Sequence, residues 1–182
     1  MQFETTPFLG LMVLTPRVFS DARGYFFESY NLQAMRNAGL EYSWVQDNQS
    51  HSSFGVIRGL HFQKPPHAQS KLVRVLQGEI LDVVVDLRRD QPTFGQSFSV
   101  LLSAENKKQL LIPKGFAHGF SVLSETADVM YKCDALYSKE SEGGLLFNDP
   151  ALAIDWKIPT DKYNVSDKDL ILPLLSHVEA GF

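Results

Sequence analysis

A single cysteine, Cys133, stands in a chain of 182 residues, which excludes an internal disulfide framework and any zinc cluster built on thiolates. Basic charge is also in short supply. Lys and Arg number 17 against 21 Asp and Glu, a net charge of −4, so the chain lacks the basic field that nucleic-acid binding requires. An anionic small molecule stays compatible with this, because a few placed Arg and Lys residues bind phosphate locally. Long apolar runs are missing too. The opening "MQFETTPFLGLMVLTP" has no basic leader and its apolar stretch is broken by Gly and Pro. Neither a signal peptide nor a membrane span is expected, and a cytoplasmic location is. No Pro-, Gly- or Ser-rich linker, internal repeat or low-complexity tract divides the chain, so one domain over 1–182 is expected.

What is present is ordinary globular composition, 44% hydrophobic and 21% charged, at a length that can bury a substantial core. One segment, "NLQAMRNAGL" (31–40), reads as helix: Asn31 can cap it, Leu32, Met35 and Leu40 give an apolar face, and Gly39 suits its end. Most of the rest reads as strand. "KLVRVLQGEILDVVVDLR" is two β-rich runs pivoting on Gln77-Gly78-Glu79, a hairpin signal. "QSFSVLLS", "KQLLIP", "AHGFSVLS" and "ADVMYKCDALYS" follow at short intervals, broken by turn residues. That spacing predicts an all-β sandwich or barrel. From Asn148 onward Pro, Asp and Asn punctuate the chain, which predicts loops and short helical turns packed on the barrel.

Polar residues inside apolar strands are the informative ones, since burial without a partner is costly. They are Arg58, His61, Lys71, His118 and Tyr131. Each alone has a structural explanation: a hydrogen-bonded histidine, an exposed lysine, a core tyrosine with its hydroxyl satisfied. Their fall on consecutive strands of one small barrel favours a ligand site. "GVIRGLHFQ" (55–63) is the sharpest case. Strand alternation puts Ile57, Gly59 and His61 on one face and Arg58, Leu60 and Phe62 on the other. For Arg58 to reach the ligand of His61, a local bend at Gly59 or a site near the strand end is needed.

"PKGFAH" (113–118) has the Pro-x-Gly-x-x-His form of the second metal motif of cupins, which are double-stranded β-helix barrels. Imidazole suits Zn, Fe or Mn there. The stretch matching the first motif is His61-Phe62-Gln63, with one histidine where metal-binding cupins have two. A metal-dependent cupin enzyme is the alternative, disfavoured because no dense His/Asp/Glu cluster completes a site.

Beyond these, "VFSDARGYFFESYN", "VQDNQSHS", "VIRGLHFQ", "KLVRVLQGEILDVVVDLR", "PTFGQ", "LSAENKKQLLIPKGFAHGF" and "YKCDALYSKESEGGLLFNDP" occur in this order. Together they resemble the dTDP-4-dehydrorhamnose 3,5-epimerase family of the rhamnose pathway, from about Val18 to the "SDKD" segment. The resemblance implies a metal-independent cupin jelly-roll barrel that needs no cofactor and works as a homodimer. It implies inversion of C3 and C5 of dTDP-4-dehydro-6-deoxy-D-glucose, giving dTDP-4-dehydro-L-rhamnose. Relatives with the same base and acid invert one carbon only, which is a second alternative.

Carried over by position, the resemblance makes His61 the general base, Asp169 the carboxylate that orients it, Tyr131 the general acid and Lys71 the cation near the enolate oxygen. His118 matches a substrate-site position. Arg23, Glu28, Gln46, Asp47, Asn48, Arg58, Glu142 and Lys168 match nucleotide-sugar contacts, and Tyr137 matches the residue that stacks on thymine. In the family the N-terminal region crosses the dimer, so the resemblance lets Arg23 and Glu28 serve the partner's site.

Overall fold

Val, Ile, Leu and Phe at short intervals produce strands through the middle of the chain. The computed structural model describes residues 1–182. Its first part comprises β1 (Gln2–Thr5), β2 (Met12–Thr15), β3 (Phe19–Asp21), β4 (Gly24–Phe26), α1 (Leu32–Asn37), β5 (Gln46–Ser53) and β6 (Val56–Gln63). The central strands are β7 (Lys71–Gln77), β8 (Glu79–Asp86), β9 (Ser97–Ser103), β10 (Gln109–Ile112), β11 (Phe116–Val122) and β12 (Thr126–Cys133). β13 (Glu142–Gly144), β14 (Asn164–Val165) and α2 (Asp167–Leu170) complete the order.

Two sheets face each other. One runs β1-β2-β10-β7-β12-β5 and the other β13-β6-β11-β8-β9, with β14 parallel to β6. Between them lies a core that includes Val73, Val75, Ile80, Val84, Leu110, Phe116, Phe120 and Val122. The second sheet is also covered on its outer face. Leu81, Val83 and Val85 of β8 pack there with Leu152, Trp156, Ile158 and Val178 of the C-terminal segment. Both faces of β8 are thereby dry, which is why "ILDVVVD" is buried throughout. The outer face of the first sheet is partly covered by Met35 of α1, against Leu14, Leu72 and Leu111.

The expected helix forms with the expected cap. Asn31 Oδ1 accepts from the Ala34 N–H at 3.0 Å, and Gly39 leaves the helix at φ +75°. The tail is a run of loops and short turns on the barrel's outer wall, as its punctuation predicts. No helix is long and apolar enough to cross a membrane.

The hairpin expected at Gln77-Gly78-Glu79 does not form. β7 pairs with β10 and β12, whereas β8 pairs with β9 and β11 in the other sheet. Gly78 is a corner between sheets: its φ is +76°, and a Cβ there would lie 2.0 Å from the Thr126 carbonyl oxygen. A tight glycine between two β-rich runs is equally a hairpin and a sheet-switching corner until the partner strands are known.

Alternation along β6 is also broken. His118 and Phe120 of β11, two apart, face His61 and Arg58 of β6, three apart, so β6 carries an extra residue at Gly59. Ile57, Leu60 and Phe62 consequently face the outer core, while Arg58 and His61 share the inner face. The strict two-face assignment from the sequence is therefore corrected, and the bend at Gly59 is present. Gly59 has φ +126°, and a Cβ would lie 2.5 Å from Gly119 Cα. Gly59→Ala should cost about 1–3 kcal/mol in backbone strain alone and more from that contact. Gly24→Ala, at φ +127° with nothing within 4 Å of a Cβ, should show only the backbone part. Urea midpoints of the two variants separate the contributions, and equal losses would remove the close approach from the explanation.

Candidate active site

The bulge of β6 opens onto a cavity of about 430 Å³ between the sheets, lined among others by Arg58, His61, Lys71, His118, Tyr131, Lys168 and Asp169. The five polar residues singled out within apolar strands all meet in it. They come from β6, β7, β11 and β12, and the cavity lies where these strands face one another.

His61 donates from Nε2 to Asp169 Oδ1 at 2.7 Å. That bond selects the tautomer, leaving Nδ1 as the nitrogen free to take a proton. Asp169 is buried, and its second oxygen accepts the Gly59 N–H at 3.3 Å. Ser166 caps the short turn of α2 by accepting from the Asp169 N–H. Burial would raise the Asp169 carboxyl. The His61 hydrogen bond and charge, with the Gly59 and Ser166 contacts, outweigh it and hold the group below the usual carboxylate range.

Across the strand pair from His61 sits His118, whose Nε2 lies 2.9 and 3.1 Å from the two oxygens of Asp82. Asp82 is fully buried, and reading by residue pattern overlooked it. It is a lone acid in an apolar run, the same signal that picked out its neighbours. Each imidazole thus has its own carboxylate, and no group of three or more His, Cys, Asp or Glu side chains is placed to hold a metal.

Lys71 has no carboxylate partner within ion-pair distance, and its Nζ lies 5.6 Å from the centre of the Tyr131 ring. Burial pushes its ammonium below the usual lysine range, with Cys133 and Asp82 pulling the other way. Burial likewise raises the Tyr131 phenol, helped by Cys133 and opposed by Arg58. Arg58 is anchored through Nε to Ser52 Oγ at 3.0 Å and through Nη2 to the His51 carbonyl at 3.5 Å, and its side chain lines the cavity.

At the rim, Lys168 Nζ lies 2.6 Å from Glu142 Oε1, and the Tyr137 hydroxyl donates to Glu142 Oε2 at 3.2 Å. The Lys168 hydrogen bond holds the Glu142 carboxyl low against a smaller opposing effect of burial, and the same bond raises Lys168. Gln46 and Asn48 point inward along β5, Gln46 to Asn48 at 3.0 Å and Asn48 to Cys133 Sγ at 3.7 Å.

Gln46, Asn48, Tyr137 and Glu142 stand beside the cavity without lining it, and three further residues expected at the ligand are turned elsewhere. Asp47 alternates to the outer face of its sheet and pairs with Lys132 at 3.0 Å. Arg23 sits on the β3–β4 hairpin, 90% exposed and bonded to Asp21. Glu28 accepts from Asn31 Nδ2 beside α1.

The sequence model of a family described as dTDP-4-dehydrorhamnose 3,5-epimerase matches residues 5–177. A protein of that name from Salmonella typhimurium is 52% identical over 166 residues, covering 91% of this chain and 90% of its own. The Bacillus anthracis dTDP-4-dehydrorhamnose 3,5-epimerase, solved with TDP and PPi bound, superimposes with a TM-score of 0.92 at 52% identity, covering 95% of this chain and 98% of that one. A Legionella pneumophila dTDP-6-deoxy-D-glucose-3,5-epimerase in complex with dTDP-4-keto-L-rhamnose gives 0.93 at 46% identity, covering 98% and 95%.

A depressed carboxyl contributes stability that is present above its unfolded value, about 3.9, and is lost as pH falls through the folded value. The stability gap between wild type and Asp169→Asn should therefore be widest above about pH 5 and narrow as pH drops below about 4. Urea titrations at several pH values check this. A gap that widens on acidification would contradict the assignment.

Proposed function

The chain belongs to the dTDP-4-dehydrorhamnose 3,5-epimerase family, and from that premise we propose that it converts dTDP-4-dehydro-6-deoxy-D-glucose to dTDP-4-dehydro-L-rhamnose as a cytoplasmic homodimer. One observation carries the reading. A single cavity holds a carboxylate-paired imidazole, an ammonium without a carboxylate partner and a phenol whose hydroxyl has no protein partner. Those are the three groups that inversion beside a ketone requires.

The C4 ketone acidifies the hydrogens on C3 and C5. His61 removes one through Nδ1, while Asp169 fixes the ring and stabilises the imidazolium. The charge that develops on the ketone oxygen is met by Lys71, whose ammonium has no carboxylate partner to weaken its field. Tyr131 then returns a proton from the opposite face. Its raised pKa keeps it protonated until the enolate forms. His118, held by Asp82, lines the sugar pocket beside the base.

The nucleotide end lies toward the rim. Arg58 and Lys168 hold the diphosphate through charge-assisted bonds, Gln46 and Asn48 border it, and Tyr137 stacks on thymine with Glu142 orienting both Tyr137 and Lys168. Arg23 and Glu28 complete the partner's site. The hairpin that carries Arg23 also exposes Phe19, Tyr25 and Phe26, at 50%, 62% and 67%, an apolar surface suited to cover by a second subunit.

Base and acid separate in deuterium oxide, with proton NMR following exchange and configuration at C3 and C5. His61→Ala should lose both exchange and inversion. Tyr131→Phe should lose inversion by about 10²–10⁴-fold while retaining more exchange, because His61 can return a deuteron to the face it came from. Parallel loss of both in Tyr131→Phe would remove Tyr131 as the acid, and wild-type exchange at one carbon only would indicate a single-carbon epimerase.

The crossing of the hairpin has its own test. Mixed dimers of Arg23→Ala and His61→Ala subunits should regain one site with both residues native. At substrate concentrations below KM, activity should rise well above that of either variant alone. No gain on mixing, with heterodimers verified by mass spectrometry, would place Arg23 in its own subunit's site or in none.

A further inference from the structure

After Cys133 the chain leaves the β12–β5 ladder, and residues 134–138 have few strand partners for their backbone groups. Side chains take over that role, and three of them are glutamines. Gln69 Nε2 donates to the Ala135 carbonyl at 2.8 Å. Gln63 Nε2 donates to the Leu136 carbonyl at 3.2 Å and to the His67 carbonyl at 2.6 Å, while its Oε1 accepts the Ser138 N–H at 2.8 Å. Gln46 Oε1 accepts the Tyr137 N–H at 3.0 Å. Gln63 is 5% exposed, at the inner end of β6, two residues beyond His61.

We infer that Gln63 is a positioning residue for nucleotide binding: by holding the backbone on both sides of Tyr137 it fixes the exposed Tyr137 ring over the rim of the cavity. The inference rests on the nucleotide reading above. Tyr137 itself is 57% exposed, and its side chain makes one hydrogen bond, from the hydroxyl to Glu142. That bond holds the tip of the side chain, and its backbone has to hold the other end. The amide of a glutamine offers two donors and one acceptor group, which is the set needed for two carbonyls and one N–H. A histidine at 63, as in a paired metal motif, could not satisfy all three. The same substitution that removes a second imidazole from the His-x-Gln stretch thus supplies the support for the base-stacking segment.

The test is a double-mutant cycle read by calorimetric titration with dTDP. Tyr137→Ala should weaken dTDP by roughly tenfold or more, the loss of one stacked base. Gln63→Ala should weaken it by a comparable factor. Combined with Tyr137→Ala it should add almost nothing, because both changes remove the same contact. In turnover, Gln63→Ala should raise KM more than it lowers kcat, since the chemistry at His61 and Tyr131 is left in place. If Gln63→Ala does not fold, Gln69→Ala, which loses one bond at a half-buried position, should show a smaller loss with the same non-additivity. Losses that add in the double variant, or a dTDP affinity unchanged by Gln63→Ala, would overturn the inference. Wild-type protein that fails to bind dTDP would overturn the nucleotide reading itself, and the two failures are told apart by that control.

Discussion

The extra residue at Gly59 is the constraint on which the site depends. An unbroken strand would send Arg58 and His61 to opposite faces, one into the cavity and the other into the outer core among Leu60 and Phe62. The bulge turns both inward and keeps Ile57, Leu60 and Phe62 outward, so the strand seals one hydrophobic layer while furnishing a polar cavity. It also frees the Gly59 N–H from the ladder to hold Asp169. A second glycine, Gly119, stands opposite because the two backbones approach too closely for any side chain.

Electrostatic order follows from that geometry. Seven charged or chargeable side chains line the cavity, and they are not interchangeable. His61 and His118 each face a private carboxylate, which fixes ring orientation and satisfies the buried acid. Lys71 lacks such a partner, and a half-buried cation with no counter-ion attracts negative charge arriving with a ligand. Arg58 is tethered by a serine rather than a carboxylate, so its charge also stays available. Asymmetry of this kind is costly to fold, and the surrounding layers offset it: β8 is dry on both faces, and Trp156 is buried with its indole N–H bonded to the Phe147 carbonyl.

The C-terminal segment does more than cover the sheet. It brings Asp169 and Lys168 back to the mouth of the cavity on one turn of helix, more than a hundred residues after the strand they serve. Its loops are held by specific bonds rather than by secondary structure, as Asp149 Oδ2 accepting the Leu175 N–H shows. The 134–138 segment is organised the same way, through Gln46, Gln63 and Gln69. Both rim elements are therefore loops with defined shape, positioned by a rigid barrel.

Local pattern alone was enough for the all-β class, the capped helix after the first strands, the irregular tail, and the convergence of Arg58, His61, Lys71, His118 and Tyr131. Strand periodicity, capping chemistry and the cost of buried polar groups are properties of short segments, so they are legible without neighbours. The family motifs brought Asp169, Tyr137, Glu142 and Lys168 to the same site, although nothing in their local sequence links them to β6. Tertiary structure alone decided the rest. It made Gly78 a corner instead of a hairpin, set Asp82 beneath His118, turned Asp47 outward, and left Arg23 and Glu28 away from their own chain's cavity. Each of these is a question of which strand lies opposite which, and a pairing partner distant in sequence leaves no periodic trace in the residues it meets.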